Sequence, residues 1–384
     1  MSATLITNAR LVLENEILLG TLGFDAAGIT SIDTGRTSVP GALDLEGDLL
    51  APGLIELHTD NLERHLMPRP KVSWAEVPAL LAHDAEVACA GITTVLDALG
   101  VGETDSDSVR GSAWDTLLAS LQHCSEQDAL RAEHFLHVRC ELPAPNTIEL
   151  FEPFHGHPRL CLVSLMDHTP GQRQWENVEH ARIYYTGKKG WSAAKYEARV
   201  ADAMDMQRRY AEPHRQHFVD YCRRHDIALA SHDDTTAEHV QEAYRDGAVI
   251  CEFPTTRQAA QAARALGLAT VLGGPNVVRG GSHSGNVAAA ELARDGLLDI
   301  LSSDYVPGSL VSAVFALHDQ LKLPLARCFG MVTRQPAHAL GLNDRGRLAV
   351  GLRADLVRIR PLRTEESRVQ PLVRTLWRQG RQVA

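Results

Sequence analysis

The chain reads as an α/β protein organised on a (β/α)8, TIM-like barrel, and three observations carry that expectation. Eight short apolar runs follow one another between Leu54 and Tyr305: LIELHTD, GITTVLDAL, HFLHVRCEL, CLVSLMDH, IALASHDD, AVICEFPT, ATVLGGPN and LLDILSSDY. Longer amphipathic segments separate several of them, the alternation expected where each strand returns through a helix to a parallel sheet. Several runs end on His, Asp or Glu, and in such barrels the strand ends converge on one mouth.

The elements follow in order. Residues 3–50 read as short strands, LITNARLVL, EILLGTLGFD, GITSIDTG and ALDLEGDLLAPG, with Val, Ile, Leu and Thr recurring between Gly, Asn and Asp breakers. The C-terminal stretches GRLAVGLRADLVRIRP and VRTLWRQGRQV repeat that pattern. The two ends, 1–52 and 343–384, are expected to pair into one small β-sandwich domain beside a barrel spanning 53–342. Two separate terminal extensions are the alternative. Within the barrel, helices are expected over Trp74–Ala90, Asp115–Ser125, Ala194–Arg224 and Thr236–Asp246. A chain of 384 residues holds a barrel of about 250 residues and an appendage of this size.

Composition narrows the function. Hydrophobic residues at 44 % and charged residues at 22 % are ordinary for a globular protein. A net charge of −10 argues against non-specific nucleic-acid binding and leaves room for a local basic pocket. No apolar run is long enough to span a bilayer. Asn8, Arg10 and Glu14 interrupt any signal-peptide core at the N-terminus. The seven Cys are scattered without a CxxC pair, which favours reduced thiols and a cytoplasmic setting.

The strand ends carry the chemistry. Residues two apart in a strand share a side, so His58 and Asp60 project together. A capping Asp at a polar strand end is the plain alternative. Glu141 follows LHVRC, Asp167 and His168 follow VSLM, His232 follows IALAS, and Asp304 follows DILSS. Histidines and carboxylates together suit Zn, Mn, Fe, Co or Ni, and a purely thiolate site is excluded. Two ions could share Glu141, and such a pair lowers the pKa of a bound water. Asp97 and Asp233 stand where they could orient metal-bound histidines. Asp234 is expected to cap the helix that follows, and Cys140, on the opposite side of its strand from Glu141, to be packing.

With these residues in view, the chain resembles the amidohydrolase superfamily over nearly its whole length. Its β-rich ends resemble that superfamily's split sandwich, and GRLAVGLRADLV its common C-terminal signature. The resemblance implies metal-ligand roles for His58, Asp60, Glu141, His168, His232 and Asp304, with Asp304 orienting or deprotonating the hydrolytic water. Asp60 stands where most members have a second His, and Glu141 where many have a carboxylated Lys. Longer motifs narrow the match: ELHTDNLERHLMPRPKV, HVRCELPAPN, SLMDHTPGQRQW, ALASHDDTT, EFPTT, PNVVRGGSHSGNVAA and DILSSDYVP. They resemble the diphosphatase family of the carbon–phosphorus lyase pathway. That resemblance implies a ribosyl phosphonate substrate carrying a 5-triphosphate, hydrolysed to the 5-phosphate and diphosphate. It also implies divalent metal ions, two in number, with zinc foremost.

A triphosphate needs anion-binding groups. The segment Arg279, Gly280, Gly281, Ser282, His283, Ser284, Gly285, Asn286 precedes the helical run VAAAELARDG. Glycines let backbone N–H groups approach an anion, and a helix N-terminus favours negative charge. An ordinary Gly-rich loop is the alternative, since no Walker motif is present. Arg173, then Lys188 and Lys189, are further phosphate candidates, with Arg69 and Lys71 behind them. In the expected reaction, water attacks the α-phosphorus, Asp304 takes its proton and diphosphate leaves. Two rivals remain: a deaminase or cyclic amidase of the same fold, releasing ammonia or a carboxylate, and a non-enzymatic metal-binding scaffold subunit. A homodimer is the prior for a barrel with broad helical faces.

Overall fold

A computed structural model describes residues 3–69, 72–102, 114–173, 182, 192–282, 285–363 and 369–384. The N-terminal part supplies β1 (Thr4–Val12), β2 (Ile17–Asp25), β3 (Gly28–Thr34), β4 (Leu43–Asp44) and β5 (Leu49–Pro52). The barrel strands are β6 (Leu54–Thr59), β7 (Ile92–Val101), β8 (Glu133–Glu141), β9 (Leu160–Met166), β10 (Ala228–His232), β11 (Ile250–Glu252), β12 (Ala269–Gly273) and β13 (Ile300–Ser302). The C-terminal part adds β14 (Leu356–Arg363), β15 (Val369–Arg378) and β16 (Arg381–Gln382). The eight barrel strands coincide with the eight apolar runs of the sequence.

The two chain ends meet in one eight-stranded sheet of order β16-β15-β14-β5-β1-β2-β3, with β4 beside β1. Its own core gathers Leu11, Leu22, Phe24, Leu50, Leu356 and Trp377. A second cluster joins Val12, Leu49, Val357 and Leu376 of the sheet to Val87, Ile92, Leu317 and Phe329 of the barrel. Gly53 makes the tight passage from β5 to β6, where a Cβ would collide with Thr93. Arg345, just before the C-terminal signature, adds a polar strut, reaching Thr94 of β7 at 3.0 Å and Glu133 of β8 at 2.6 Å.

The barrel strands are parallel and lie in chain order from β6 to β13. Closure comes at the mouth. Thr59 pairs with Asp304, the Asp304 N–H donates to the His58 carbonyl at 3.1 Å, and the Thr59 hydroxyl donates to the Asp304 carbonyl at 2.8 Å. Glu56 staples the same seam from inside, accepting the His58 N–H at 2.7 Å and the Ser303 N–H at 2.5 Å. The bonds that close the barrel are therefore the bonds that set His58 beside Asp304.

Side-chain direction explains the layering. An apolar plug of Leu96, Leu162, Ala230, Ile250, Val271 and Ile300 fills the lower interior. Two residues further along their strands, Ala230 is followed by His232 and Ile250 by Glu252, on the same inward side. Cys140 lies in the outer core between strands and helices, as expected of the residue next to Glu141. Helices occupy Glu76–Cys89, Trp114–Glu126, Ala193–His225 and Ala237–Asp246, close to the expected bounds. Among the described residues no helix is long and apolar enough to cross a membrane.

Candidate active site at the barrel mouth

A cavity of 380 Å³ opens at the C-terminal end of the barrel strands, and His58, Asp60, His168, His232, Asp233 and Asp304 are on its wall. Sequence positions spread over nearly 250 residues are gathered there by the closure of one sheet. Three imidazoles form the centre. His58 Nδ1 and His232 Nδ1 lie 2.7 and 2.9 Å from the two oxygens of Glu252. His168 Nδ1 lies 2.5 Å from Glu141 Oε2. A carboxylate only accepts, so each Nδ1 donates its proton there, and each Nε2 is the atom left to meet a ligand, giving up any proton it carries when a metal ion binds.

The Nε2 atoms of His168 and His232 face a carboxylate they do not bond. Asp233 Oδ2 lies 3.8 Å from His168 Nε2 and 3.7 Å from His232 Nε2. That spacing is too long for a hydrogen bond. It is close to the separation of two donors on one tetrahedral ion, about 3.4 Å at metal–ligand lengths of ~2.0–2.1 Å. His168, His232 and Asp233 thus make a donor set fitted to a divalent first-row ion, each imidazole oriented by its own carboxylate. The expectation that Glu141 is shared between two ions does not match this geometry. Both its oxygens meet His168, Oε1 taking the backbone N–H at 3.0 Å and Oε2 the ring.

Burial and pairing set the local charges. Burial is the largest influence on Glu252 and works against its ionisation, yet His58 and the hydrogen bonds from His58 and His232 hold it well below the usual carboxylate range. For His168, burial pulls the pKa down, but Glu141 and Asp233 outweigh it and raise it to about 9. Burial lowers His137 to about 3, so its ring is neutral, bonded to the Leu57 carbonyl and the Ser164 hydroxyl. Glu56 is pushed up to about 7 by burial, against its hydrogen-bond donors.

Local backbone geometry aims these groups. Asp233, Phe253 and Asp304 follow strand ends with φ of 56°, 52° and 55°. The left-handed region costs roughly 1–3 kcal/mol for such residues and clusters at functional sites. Asp304 carries its carboxylate over Gly273, where a Cβ would lie 3.4 Å from Oδ2. Asp60 does not cap the helix Asn61–Leu66 with its side chain, which sets aside the capping alternative.

The anion-binding expectations fare unevenly. Arg279, Gly281, Ser282 and Asn286 line the cavity. Among the described residues, Gly280 and Gly281 do not offer their N–H groups to a cradle. Gly274–Arg279 is a short helix, and the N–H groups of Gly280 and Gly281 bond to Val277 and Asn276 carbonyls at its C-terminus. The next helix, Ala289–Arg294, has its first N–H taken by Asn276 Oδ1 at 3.0 Å. Arg173 is spent elsewhere, on Asp234 and on Glu242 at 3.3 Å, and does not line the cavity. Lys188, His283, Ser284, Lys71 and Lys189 lie outside the described residues. Asp234 is fully buried and pairs with Arg173 and Ser231; the cap of Ala237–Asp246 is Thr236, whose hydroxyl accepts the His239 N–H at 3.3 Å. Asp97 faces outward from β7, away from the mouth, and bonds His83 and His134.

Comparison with known proteins agrees with this architecture. The chain is 44 % identical over 381 residues to alpha-D-ribose 1-methylphosphonate 5-triphosphate diphosphatase of Escherichia coli (strain K12), covering 99 % of this chain and 100 % of that one. The amidohydrolase family matches residues 176–384. The chain belongs to the amidohydrolase family. Its fold is that of other amidohydrolase-like structures. N-acetyl-D-glucosamine-6-phosphate deacetylase from Mycobacterium smegmatis superposes with a TM-score of 0.62 at 15 % identity, over 99 % of this chain and 100 % of that one. 5-Methylcytosine deaminase from Klebsiella pneumoniae gives 0.61 at 19 %, over 99 % and 98 %.

Sequence reasoning missed three groups of this amidohydrolase site. Glu252 sits in EFPTT, a carboxylate directly after the apolar run VIC, and that position was its signal. Glu56 interrupts LIELH in the same way. Arg139 stands two residues before Glu141 and shares its inward side.

Proposed function

We propose that this protein is a metal-dependent hydrolase of α-D-ribose 1-methylphosphonate 5-triphosphate, releasing diphosphate and the 5-phosphate in phosphonate breakdown. The observation that carries the reading is the full-length relationship to a diphosphatase of that name, joined to a mouth where three oriented imidazoles face carboxylates. His168, His232 and Asp233 would hold one divalent ion, zinc foremost, and a second would draw on His58, Asp60 and Asp304. Such ions polarise phosphoryl oxygens and lower the pKa of water. The barrel in this reading spans 53–342, and 1–52 with 343–384 form the small domain.

The chain's own residues do the rest. Glu252 and Glu141 keep the three imidazoles in the tautomer that presents Nε2. Asp304 orients the attacking water and accepts its proton as the oxygen adds to the α-phosphorus. The anhydride bond to the β-phosphoryl group breaks, and its electron pair leaves on diphosphate, a stable anion that needs no strong acid. Arg279, Ser282 and Asn286, on the β12 side of the cavity, donate to the phosphates through side chains.

Incubation of the metal-replete protein with the triphosphate tests this directly. Stoichiometric diphosphate, with no ammonia from cytosine and no carboxylate from hydantoin, is the expected result. Intact triphosphate together with ammonia release would replace the reading with a C–N hydrolase.

A further inference from the structure

Four arginines have a buried Nε without a hydrogen-bond partner among the described residues: Arg139, Arg159, Arg353 and Arg378. Three are anchored through a terminal nitrogen, Arg159 to the His134 carbonyl at 3.0 Å, Arg353 to Glu133 at 2.7 Å and Arg378 to the Ala132 carbonyl at 3.1 Å. Arg139 is not. The carboxylate nearest to it, Glu63 Oε1, stands 3.7 Å from a terminal nitrogen, beyond hydrogen-bond length. Its side chain is only 15 % exposed, and it lines the mouth cavity. A guanidinium so far out of water with its fork unfilled is costly unless an anion completes it.

Its place in the barrel says which anion. β8 and β12 lie four strands apart in a ring of eight, so Arg139 and the Arg279 segment face each other across the mouth. Between them are His58, His168, His232 and Asp304. Arg279 is exposed on the rim, whereas Arg139 is deep, two residues from Glu141. A phosphorus within reach of Asp304 and the imidazoles is therefore near Arg139, and the phosphates beyond it run toward the rim.

We propose that Arg139 is a catalytic residue that donates to the non-bridging oxygens of the α-phosphoryl group. The inference rests on the triphosphate hydrolysis proposed above. As water adds to the α-phosphorus, its proton goes to Asp304 and the electron pair of the broken anhydride bond goes to diphosphate. The negative charge kept on the α-phosphoryl oxygens is met by the planar fork, which neither gains nor loses a proton. After cleavage, that phosphoryl group belongs to the 5-phosphate product, and diphosphate is left to the rim.

The test compares the metal-loaded wild type with Arg139→Met and Arg139→Lys. Turnover is measured by diphosphate release. Affinities for diphosphate and for the ribosyl phosphonate 5-phosphate are measured separately by calorimetry. Arg139→Met is expected to lose about 10- to 100-fold in turnover and a similar factor in 5-phosphate affinity, the range of a hydrogen bond to a charged group. Its diphosphate affinity and metal content should match the wild type. Arg139→Lys should fall between the two proteins, keeping charge without the fork. Unchanged turnover and product affinity in Arg139→Met overturns the assignment, as does a loss confined to diphosphate. If Arg139→Met does not fold, Arg139→Lys decides: full turnover with wild-type product affinity overturns the proposal, and a partial loss of both upholds it. A wild type that leaves the triphosphate intact would instead sink the proposed function itself, and this inference with it.

Discussion

Two buried clusters of histidine and carboxylate flank strand β8 and do opposite things. In the barrel wall, behind β7 and β8, His134 has Nδ1 on Asp97 at 2.8 Å and Nε2 on Asp84 at 3.3 Å. His83 has Nε2 on Asp97 at 2.7 Å and Nδ1 on Asn61 at 3.0 Å. Every ring nitrogen there is consumed. At the mouth, each imidazole spends Nδ1 on a carboxylate, and the Nε2 atoms of His168 and His232 stand 3.7–3.8 Å from Asp233, bonded to none of its oxygens. The residue types are the same. The count of hydrogen bonds per ring separates a structural strut from a donor set, because only a ring with a spare lone pair can take a ligand.

The contrast can be broken in order of expected effect. Asp304→Asn removes the proton acceptor at the mouth, and turnover should fall by about 10²- to 10⁴-fold while the ion held by His168, His232 and Asp233 is kept. Rapid-quench assays beside elemental analysis would check this, and wild-type turnover in the variant would remove Asp304 from its role. In the wall, Asp97→Ala leaves His134 and His83 without their shared acceptor. Unfolding in urea should show a loss of about 3–5 kcal/mol, with metal stoichiometry in the folded fraction unchanged.

The wall should also respond to pH. Burial pulls His134 down, but Asp97 and Asp84 outweigh it and hold it at about 9, against an ordinary 6.5. A cation with a raised folded pKa stabilises fully below the unfolded value and loses that effect as pH rises through the folded one. Between pH 6.5 and 9.5 the native state should therefore lose on the order of 3 kcal/mol from this residue. Melting curves of His134→Gln should be flatter over that window than those of the wild type, and parallel curves would contradict the wall's charge pattern. The smallest effect is expected of Glu252→Gln, which can still accept from one ring but not both. Metal affinity should drop by roughly 10- to 100-fold, measured by competition with a chromophoric chelator, with little change in melting temperature. A variant that binds metal like the wild type would make Glu252 an ordinary core residue.

Much of this was legible in the sequence, for reasons that also explain the failures. Strand runs such as IALASHDD announce a half-buried strand with a polar end, so barrel order and the positions of His58, His168, His232 and Asp304 followed from period and endings alone. Asp97 has the same kind of ending, yet it faces the helices. Its side depends on a register that β6 and β7 set with two irregularities. Asp234 resembled a cap, but the cap fell two residues later on Thr236, because Asp234 is drawn inside by Arg173. PNVVRGG resembled an anion loop, yet Pro275 starts a turn of helix and the glycines end it. The Asp97 and Asp234 misses turn on contacts between residues distant in sequence, which spacing does not record, whereas the PNVVRGG miss is one of local helix geometry.

The most direct measurement is phosphorus NMR of the metal-replete protein acting on the ribosyl phosphonate triphosphate in ¹⁸O-labelled water. With water aimed at the α-phosphorus between Asp304 and Arg139, the label is predicted on the sugar 5-phosphate and absent from diphosphate. Label in diphosphate, or a triphosphate left intact with metal bound, would contradict the account of the mouth.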